Sequence, residues 1–344
     1  MGYSICPPSG LLPHTPVFFT LNALPYAYLP EVQCPQWIAF LRGLWPDDQQ
    51  SIDTLQEFMG YLLTADTSQQ KIGYIVGPRR SGKGTILKVI HALLGAENVA
   101  GPTLSGLATQ FGLAPLIGKL AAIIGDARAG GREIQTTVER LLSISGEDLI
   151  SIDRKNRDSW EGQLTSRFVI ASNDILRLPD ASGALSGRML LFTLTQSFYG
   201  KEDHGLYPRL ATEMPGIFNW ALAGLGRLHV RGRFVQPESS KEAIEQLQDL
   251  NSPVTAFVEQ CCHVRRGVEV KKHDLYTAYR KFAQDDGLHP DPFEVFSRNL
   301  YAAFPSVTRK RARDSGTRVQ VFSGISLTPE TQSQVDRSTF AQMN

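Results

Sequence analysis

The sequence predicts an α/β protein: a largely parallel sheet, with helices before it and a small winged-helix-like domain behind it. Three observations predict this. Between residues 71 and 195 short apolar runs alternate with amphipathic helical stretches, the pattern of strands joined by crossover helices. One strand-to-helix junction in that region reads Gly77-Pro78-Arg79-Arg80-Ser81-Gly82-Lys83-Gly84-Thr85. After residue 263, two helical stretches precede two short strands rich in basic residues.

Along the chain, residues 1–30 are rich in proline and lack a clear period, so they read as an extended lead-in. From Cys34 to about Thr64 the spacing is helical. Trp37, Phe40, Leu41 and Leu44 recur at i, i+3, i+4 and i+7, and Leu55, Phe58, Met59 and Leu62 repeat it. Expected strands cover Ile72–Val76, Leu120–Gly125, Leu149–Ile152, Phe168–Ser172 and Met189–Leu194, with helices over Thr85–Leu94 and Ile134–Ser143. Helix returns over 207–260. In the last domain, helices are expected over Asp274–Gln284 and Phe293–Phe304. Strands over Val307–Ala312 and Thr317–Phe322 are joined by the turn Asp314-Ser315-Gly316. The expected division is 1–70 lead-in and helices, 71–205 core, 206–262 helical lid or linker, 263–327 winged-helix-like domain and 328–344 tail.

Composition narrows the function classes. With 35 Lys+Arg against 34 Asp+Glu the net charge is +1, which argues against a wholly basic nucleic-acid binder. Local basic patches remain compatible with binding, because association follows the local field. No apolar run reaches the ~18 residues of a membrane span. No signal pattern opens the chain, and the four cysteines lack metal-binding spacing, so a cytoplasmic protein is expected.

The strongest motif is Gly77–Thr85. It matches G-x-x-x-x-G-K between a strand and a helix, the context of a P-loop. Its glycines let backbone N–H groups wrap the phosphates of ATP, the helix N-terminus adds positive charge, and Lys83 reaches the outer phosphates. The hydroxyl that meets Mg²⁺ usually follows the lysine at once. Here Gly84 intervenes and Thr85 comes next.

Leu120–Asp126 is an apolar strand ending in a carboxylate, 43 residues after Lys83. An aspartate there is also a common helix cap; beside a P-loop it reads as the Walker B acid that holds Mg²⁺. Ala127 stands where a second acid is usual, so the catalytic base is unassigned, with Glu139 and Glu147 as candidates. Phe168–Asn173 is another strand ending in an amide, suited to sensing the γ-phosphate. Arg188 follows 15 residues later and suits stabilising phosphoryl-transfer charge. Two basic clusters complete the set. Arg154, Lys155 and Arg157 lie on the turn of an expected hairpin, and Arg309, Lys310, Arg311 and Arg313 on the C-terminal one. Both suit a phosphate backbone.

Taken together, these motifs resemble the helicase half of phage- and plasmid-type primase–helicases, superfamily 3 helicases on an AAA+ core with poxvirus-type relatives. The resemblance covers about Pro13 to Leu327. It is carried by Leu55-Gln56-Glu57 with Gly60-Tyr61, Gly77–Thr85, Gly125–Arg128, Glu139–Asp148, Ile170–Asn173 and Ala181–Arg188, with Gly216–Trp220 and the basic C-terminal hairpin. The compact order, Gly77 to Arg188 within 112 residues, is more specific than the P-loop alone.

The resemblance implies a ring-forming, usually hexameric, ATP- and Mg²⁺-dependent DNA helicase in the replication of a mobile genetic element, working in the cytoplasm of a bacterial host. It implies Lys83 as the Walker A lysine, Asp126 as the Walker B acid, Asn173 as sensor and Arg188 as an arginine finger acting on a neighbouring subunit. It implies Arg154, Lys155 and Arg157 on a pore hairpin that grips single-stranded DNA, and residues 34–64 as a ring-assembling collar. Forked DNA and a primase or polymerase are the implied partners, and 3′ to 5′ the implied direction. About 70 residues precede the P-loop, too few for a primase module. The chain is expected to be a stand-alone helicase subunit or the C-terminal part of something larger. Two other readings stay open: a nucleotide-gated origin-binding initiator or loader, and a metabolic P-loop kinase.

Overall fold

The structure is a computed structural model that describes residue 20 and residues 22–128, 134–180, 183–285, 290–314, 317–333 and 335. Most of the lead-in, Ala181, the turn residues Ser315 and Gly316, and most of the tail lie outside the described residues, as does the side chain of Arg313. In chain order the elements begin α1 (Pro35–Leu44), α2 (Gln49–Leu62), β1 (Ile72–Val76), α3 (Lys83–Leu94), β2 (Val99–Ala100) and α4 (Leu104–Leu107). Next come β3 (Ala121–Ile124), α5 (Ile134–Ser145), β4 (Ile150–Arg154), β5 (Arg157–Gly162), β6 (Arg167–Ser172), α6 (Ala184–Arg188) and β7 (Met189–Thr193). They continue as α7 (Leu206–Thr212), α8 (Met214–Arg231), α9 (Lys241–Asn251), α10 (Pro253–Cys261) and β8 (Cys262–Lys271). The chain closes with α11 (Lys272–Asp285), α12 (Phe293–Ala303), β9 (Thr308–Asp314) and β10 (Thr317–Leu327).

The chain divides into two compact units, 1–176 with 188–244, and 177–187 with 245–344. The stretch expected as one lid, 206–262, is therefore shared. Helices α7 and α8 belong to the first unit, and the boundary runs inside α9. The segment 177–187 returns to the second unit, where Leu178 N donates to Asn251 Oδ1 at 2.7 Å.

In the first unit the sheet order is β2-β3-β6-β1-β7, and every described pairing is parallel. This is the mixed α/β core with a central parallel sheet that the alternation predicts. Strands β1 and β6 are buried at every position, as expected for strands covered on both faces. The two-residue edge strand β2 escaped the sequence reading because it is too short to show a period. The helices at 35–62 share one hydrophobic cluster with the sheet and with α7 and α8. Close contact between α2 and α8 depends on glycine. A Cβ on Gly224 would come within 2.5 Å of the Gln56 carbonyl oxygen. Buried Glu57 sits at the same contact, pairing with Arg227 at 2.6 Å and with Arg231. Strands β4 and β5 form a separate two-stranded hairpin.

The second unit holds an antiparallel sheet ordered β8-β10-β9, not the two-stranded hairpin expected from sequence. Strand β8 was missed because His263–Val270 interrupts its apolar positions with Arg265, Arg266 and Gly267. Its place is set by long-range pairing with β10, which no local pattern announces. An aromatic cluster fills this unit, with Tyr279 stacked on Phe296 at 4.6 Å and Phe257 and Phe322 edge-on to Phe296.

Candidate nucleotide site

Parallel strands place all their carboxyl ends on one edge of the sheet, where loops and helix N-termini can meet a ligand. Three such ends converge here. β1 runs into the Gly77–Thr85 loop. β6, beside it, ends at Asn173. β3, next to β6, leads to Asp126. Backbone bonds tie the ends together: Gly77 N donates to Ser172 O at 3.4 Å and Ala127 N to Ala171 O at 2.7 Å.

Within the loop Gly77 and Gly82 are required for different reasons, and Gly84 is not. Gly77 passes so close to the residue after β7 that a Cβ would sit 2.5 Å from the Leu194 carbonyl oxygen. Gly82 has φ +96, the left-handed region that favours glycine. At Gly84 a Cβ would meet open space, so the surroundings do not require the missing side chain at that position. Helix α3 begins at Lys83 without a side-chain cap, which leaves its positive end turned to the loop.

Lys83 folds back over its own loop. Its Nζ donates to Gly77 O at 2.5 Å and Pro78 O at 2.7 Å, with Ser81 Oγ at 3.4 Å. Burial holds the ammonium below the ordinary lysine range, while Asp126 and Asp174 act in the opposite sense. Asp174 follows Asn173 and was not singled out from sequence. Its only signal was adjacency to a strand-end polar residue.

Asp126 has φ +50 and pairs with Arg128 at 3.0 Å, both exposed. Asn173 Nδ2 reaches Asp126 Oδ1 at 3.5 Å. Thus two polar groups 47 residues apart meet beside the loop. Among the described residues no group of three His, Cys, Asp or Glu could enclose a metal. The donor set fits Mg²⁺ nonetheless. That ion needs only one or two protein ligands, the rest being phosphate oxygens and water, and Asp126 and Thr85, which line the same cleft, are the residues that could hold it.

The cleft over the loop measures about 1010 Å³ and is lined by Arg79–Thr85, Asp126, Arg128 and Asn173. Its other lining residues come from elements distant from the loop in sequence. Phe40 comes from α1, Phe198 and His204 from the connection after β7, and Tyr207 from α7, with Lys88 Nζ 5.6 Å from the Tyr207 ring centre. That connection is strapped to the loop. Ser197 Oγ donates to Arg79 O at 2.8 Å, Phe198 N to Arg80 O at 2.9 Å, and Arg80 pairs with Glu202 at 3.5 Å.

Other expected site residues lie elsewhere. Arg188 is not among the residues lining the cleft. Its guanidinium donates to Leu142 O and, at 3.0 Å, to Ser145 Oγ, at the C-terminal turn of α5. Neither candidate base lines the cleft. Glu139 accepts from Gln135 at 3.5 Å, and Glu147 accepts from Thr67 at 2.5 Å. Arg154, Lys155 and Arg157 stand at the tip of the β4–β5 hairpin, where Arg154 Nε donates to Asp158 O at 2.8 Å. No helix of the described residues is long and apolar enough to cross a membrane.

A family described as being of unknown function (DUF5906) matches residues 75–188, the span from the end of β1 to Arg188. Among solved structures, the A form apo structure of the NrS-1 C-terminal region has a TM-score of 0.54 at 14% identity, covering 90% of this chain and 80% of that one. Another apo structure of the same region scores 0.54 at 14% identity, covering 90% and 79%. The X-ray structure of JCV helicase scores 0.39 at 15% identity, covering 74% and 64%. The likeness to the NrS-1 region is one of fold.

Proposed function

We propose that this chain is an ATP-dependent DNA helicase of superfamily 3 that forms a ring of six copies and serves the replication of a phage, satellite or plasmid. The observation that carries the reading is the convergence of the Gly77–Thr85 loop, Asp126 and Asn173 on one cleft at the carboxyl edge of a parallel sheet. Two further strand ends, those of β3 and β6, meeting the loop fed by β1 support a reading of phosphoryl transfer.

In this reading the loop amides and Lys83 hold the phosphates, and Phe40, Phe198 and Tyr207 border the base. Asn173 positions the attacking water. Mg²⁺, when bound at Asp126 and Thr85, supplies neutralisation of phosphate charge. Arg188 completes the site of the neighbouring copy, a role compatible with its position outside its own chain's cleft. The β4–β5 tip, with Arg154, Lys155 and Arg157, grips one DNA strand, and nucleotide turnover moves it. The C-terminal unit acts as a winged helix on forked DNA, and a primase or polymerase works alongside.

Lys83→Ala tests this. Removing the lysine should lower DNA-stimulated hydrolysis about a hundredfold or more, roughly 3 kcal/mol, and abolish strand displacement. Equal displacement by both proteins would sink the helicase reading. Nucleotide-dependent DNA binding without displacement by either would favour an initiator or loader.

A further inference from the structure

The C-terminal basic run reads along the chain as one cluster, but strand register divides it. In the β9–β10 hairpin Phe322 faces Arg309, Gln320 faces Arg311 and Arg318 faces Arg313. Directly paired residues share one face of a sheet, as do residues two apart on a strand. Arg309, Arg311 and Arg318 therefore lie on the face of Phe322. That is the face the helices cover. Phe322 is fully buried, with Tyr301 at 5.8 Å and Phe296 at 6.3 Å. Toward the hairpin end the same face carries exposed Arg311 and Arg318.

Lys310 lies on the opposite face. It pairs with Val321, whose other neighbour is Lys271, and its ammonium makes an ion pair with Glu269 at 2.5 Å. Among the described residues the arginine face has no such ion pair. Arg309 donates to the Gln320 amide oxygen at 3.2 Å, and among the described residues Arg311 and Arg318 make no ion pair. Lys272, at the start of α11, stands at the foot of this face with Nζ 5.3 Å from the Phe322 ring centre. Burial and the Arg309 guanidinium both press its ammonium below the ordinary lysine range. Positive charges that repel one another on one face are relieved when an anion joins them.

Helix α12 differs. Its exposed positions include Glu294, Arg298 and Ala302, four apart, so the charge on that stripe cancels. Asn299, the side chain best suited to adenine, is within 3.4 Å of Asp291 Oδ2 and donates to it. A base-reading helix needs several free donors and acceptors on one stripe, and this stripe carries one arginine.

We propose that the C-terminal unit binds the phosphate backbone of nucleic acid through the arginine face of the β9–β10 hairpin, with Lys272 at its foot, and that it does so without reading base sequence through α12. The proposal rests on nucleic acid being the partner, as in the function proposed above, and is independent of nucleotide hydrolysis.

The test uses the full chain without nucleotide, and the Lys83→Ala chain in parallel. Fluorescence anisotropy would follow labelled duplexes of two unrelated sequences between about 50 and 200 mM salt. The combined Arg309→Gln, Arg311→Gln and Arg318→Gln protein should bind at least about tenfold more weakly, with a log–log salt slope shallower by about 2 to 3. Lys310→Gln and the Glu294→Ala, Arg298→Ala protein should each stay within about twofold, and wild type should bind both sequences within about threefold. Should the triple variant fail to fold by thermal melting, single Arg311→Gln and Arg318→Gln proteins should each reduce the slope by about 1. Unchanged binding and slope in folded arginine variants would overturn the proposal. So would a loss confined to the α12 variant, or a strong preference for one sequence that the α12 variant removes. If Lys83→Ala shows the helicase reading to be wrong, the arginine result still stands or falls alone.

Discussion

Two basic elements of this chain are built on opposite plans. The Gly77–Thr85 loop concentrates its chemistry in consecutive residues, each with its own backbone demand. Gly77 is pressed against Leu194, Gly82 turns the chain at positive φ, and Lys83 is held by its own loop's carbonyls. The β9–β10 hairpin instead spaces equivalent arginines two apart and depends on the face they share. Position is decisive in the first plan, and number in the second. Single substitutions should therefore be drastic around the cleft over this loop and incremental on the hairpin.

The sharpest test of that contrast is Arg188. If it completes a neighbour's site, Arg188→Ala should cut turnover about a thousandfold. Mixing that protein with Lys83→Ala protein should then recover part of the activity, because one kind of interface would carry both intact groups. Were Arg188 only a tie to Leu142 and Ser145 on α5, the variant would melt earlier while turnover per folded molecule held.

The scaffold behind the loop should be nearly as intolerant. A Cβ on Gly60 would collide with the Ala221 carbonyl and lie 2.8 Å from the Leu225 backbone nitrogen. Gly60→Ala should cost about 3 kcal/mol in urea unfolding, since backbone cannot yield as a side chain can. A smaller loss, about 2 kcal/mol, is expected for Glu57→Gln. It leaves Arg227 and Arg231 without their carboxylate, although both arginines stay partly solvated. On the hairpin, Arg311→Gln alone should weaken duplex binding only about three- to fivefold at low salt. A larger single effect would mean that one arginine dominates, and the distributed plan would be wrong.

Legibility in the sequence followed the same division. Strands β1, β3, β6 and β7 and helices α1, α2, α3 and α5 were readable because burial leaves an apolar run or a helical period in consecutive residues. The loop was readable because glycine and lysine spacing is a local constraint. Strands β2 and β8 were not, one being two residues long and the other interrupted by Arg265, Arg266 and Gly267. The aromatic wall of the cleft was hidden as well. Phe40 and Tyr207 lie far from the loop in sequence, and each looks like an ordinary face residue of its helix.

The sequence by itself determined the α/β class, the strand-to-helix loop Gly77–Thr85 and the candidate identities of Asp126 and Asn173. Backbone conformation and burial are written within a few neighbouring residues. Only the tertiary structure decided that Asp126 and Asn173 meet, that Arg188 lies away from its own cleft, and that Lys310 parts from its arginine neighbours. Those outcomes depend on strand order and cross-strand register. Both are set by which distant segments pair, and a one-residue change of register would carry every side chain of a strand to the other face.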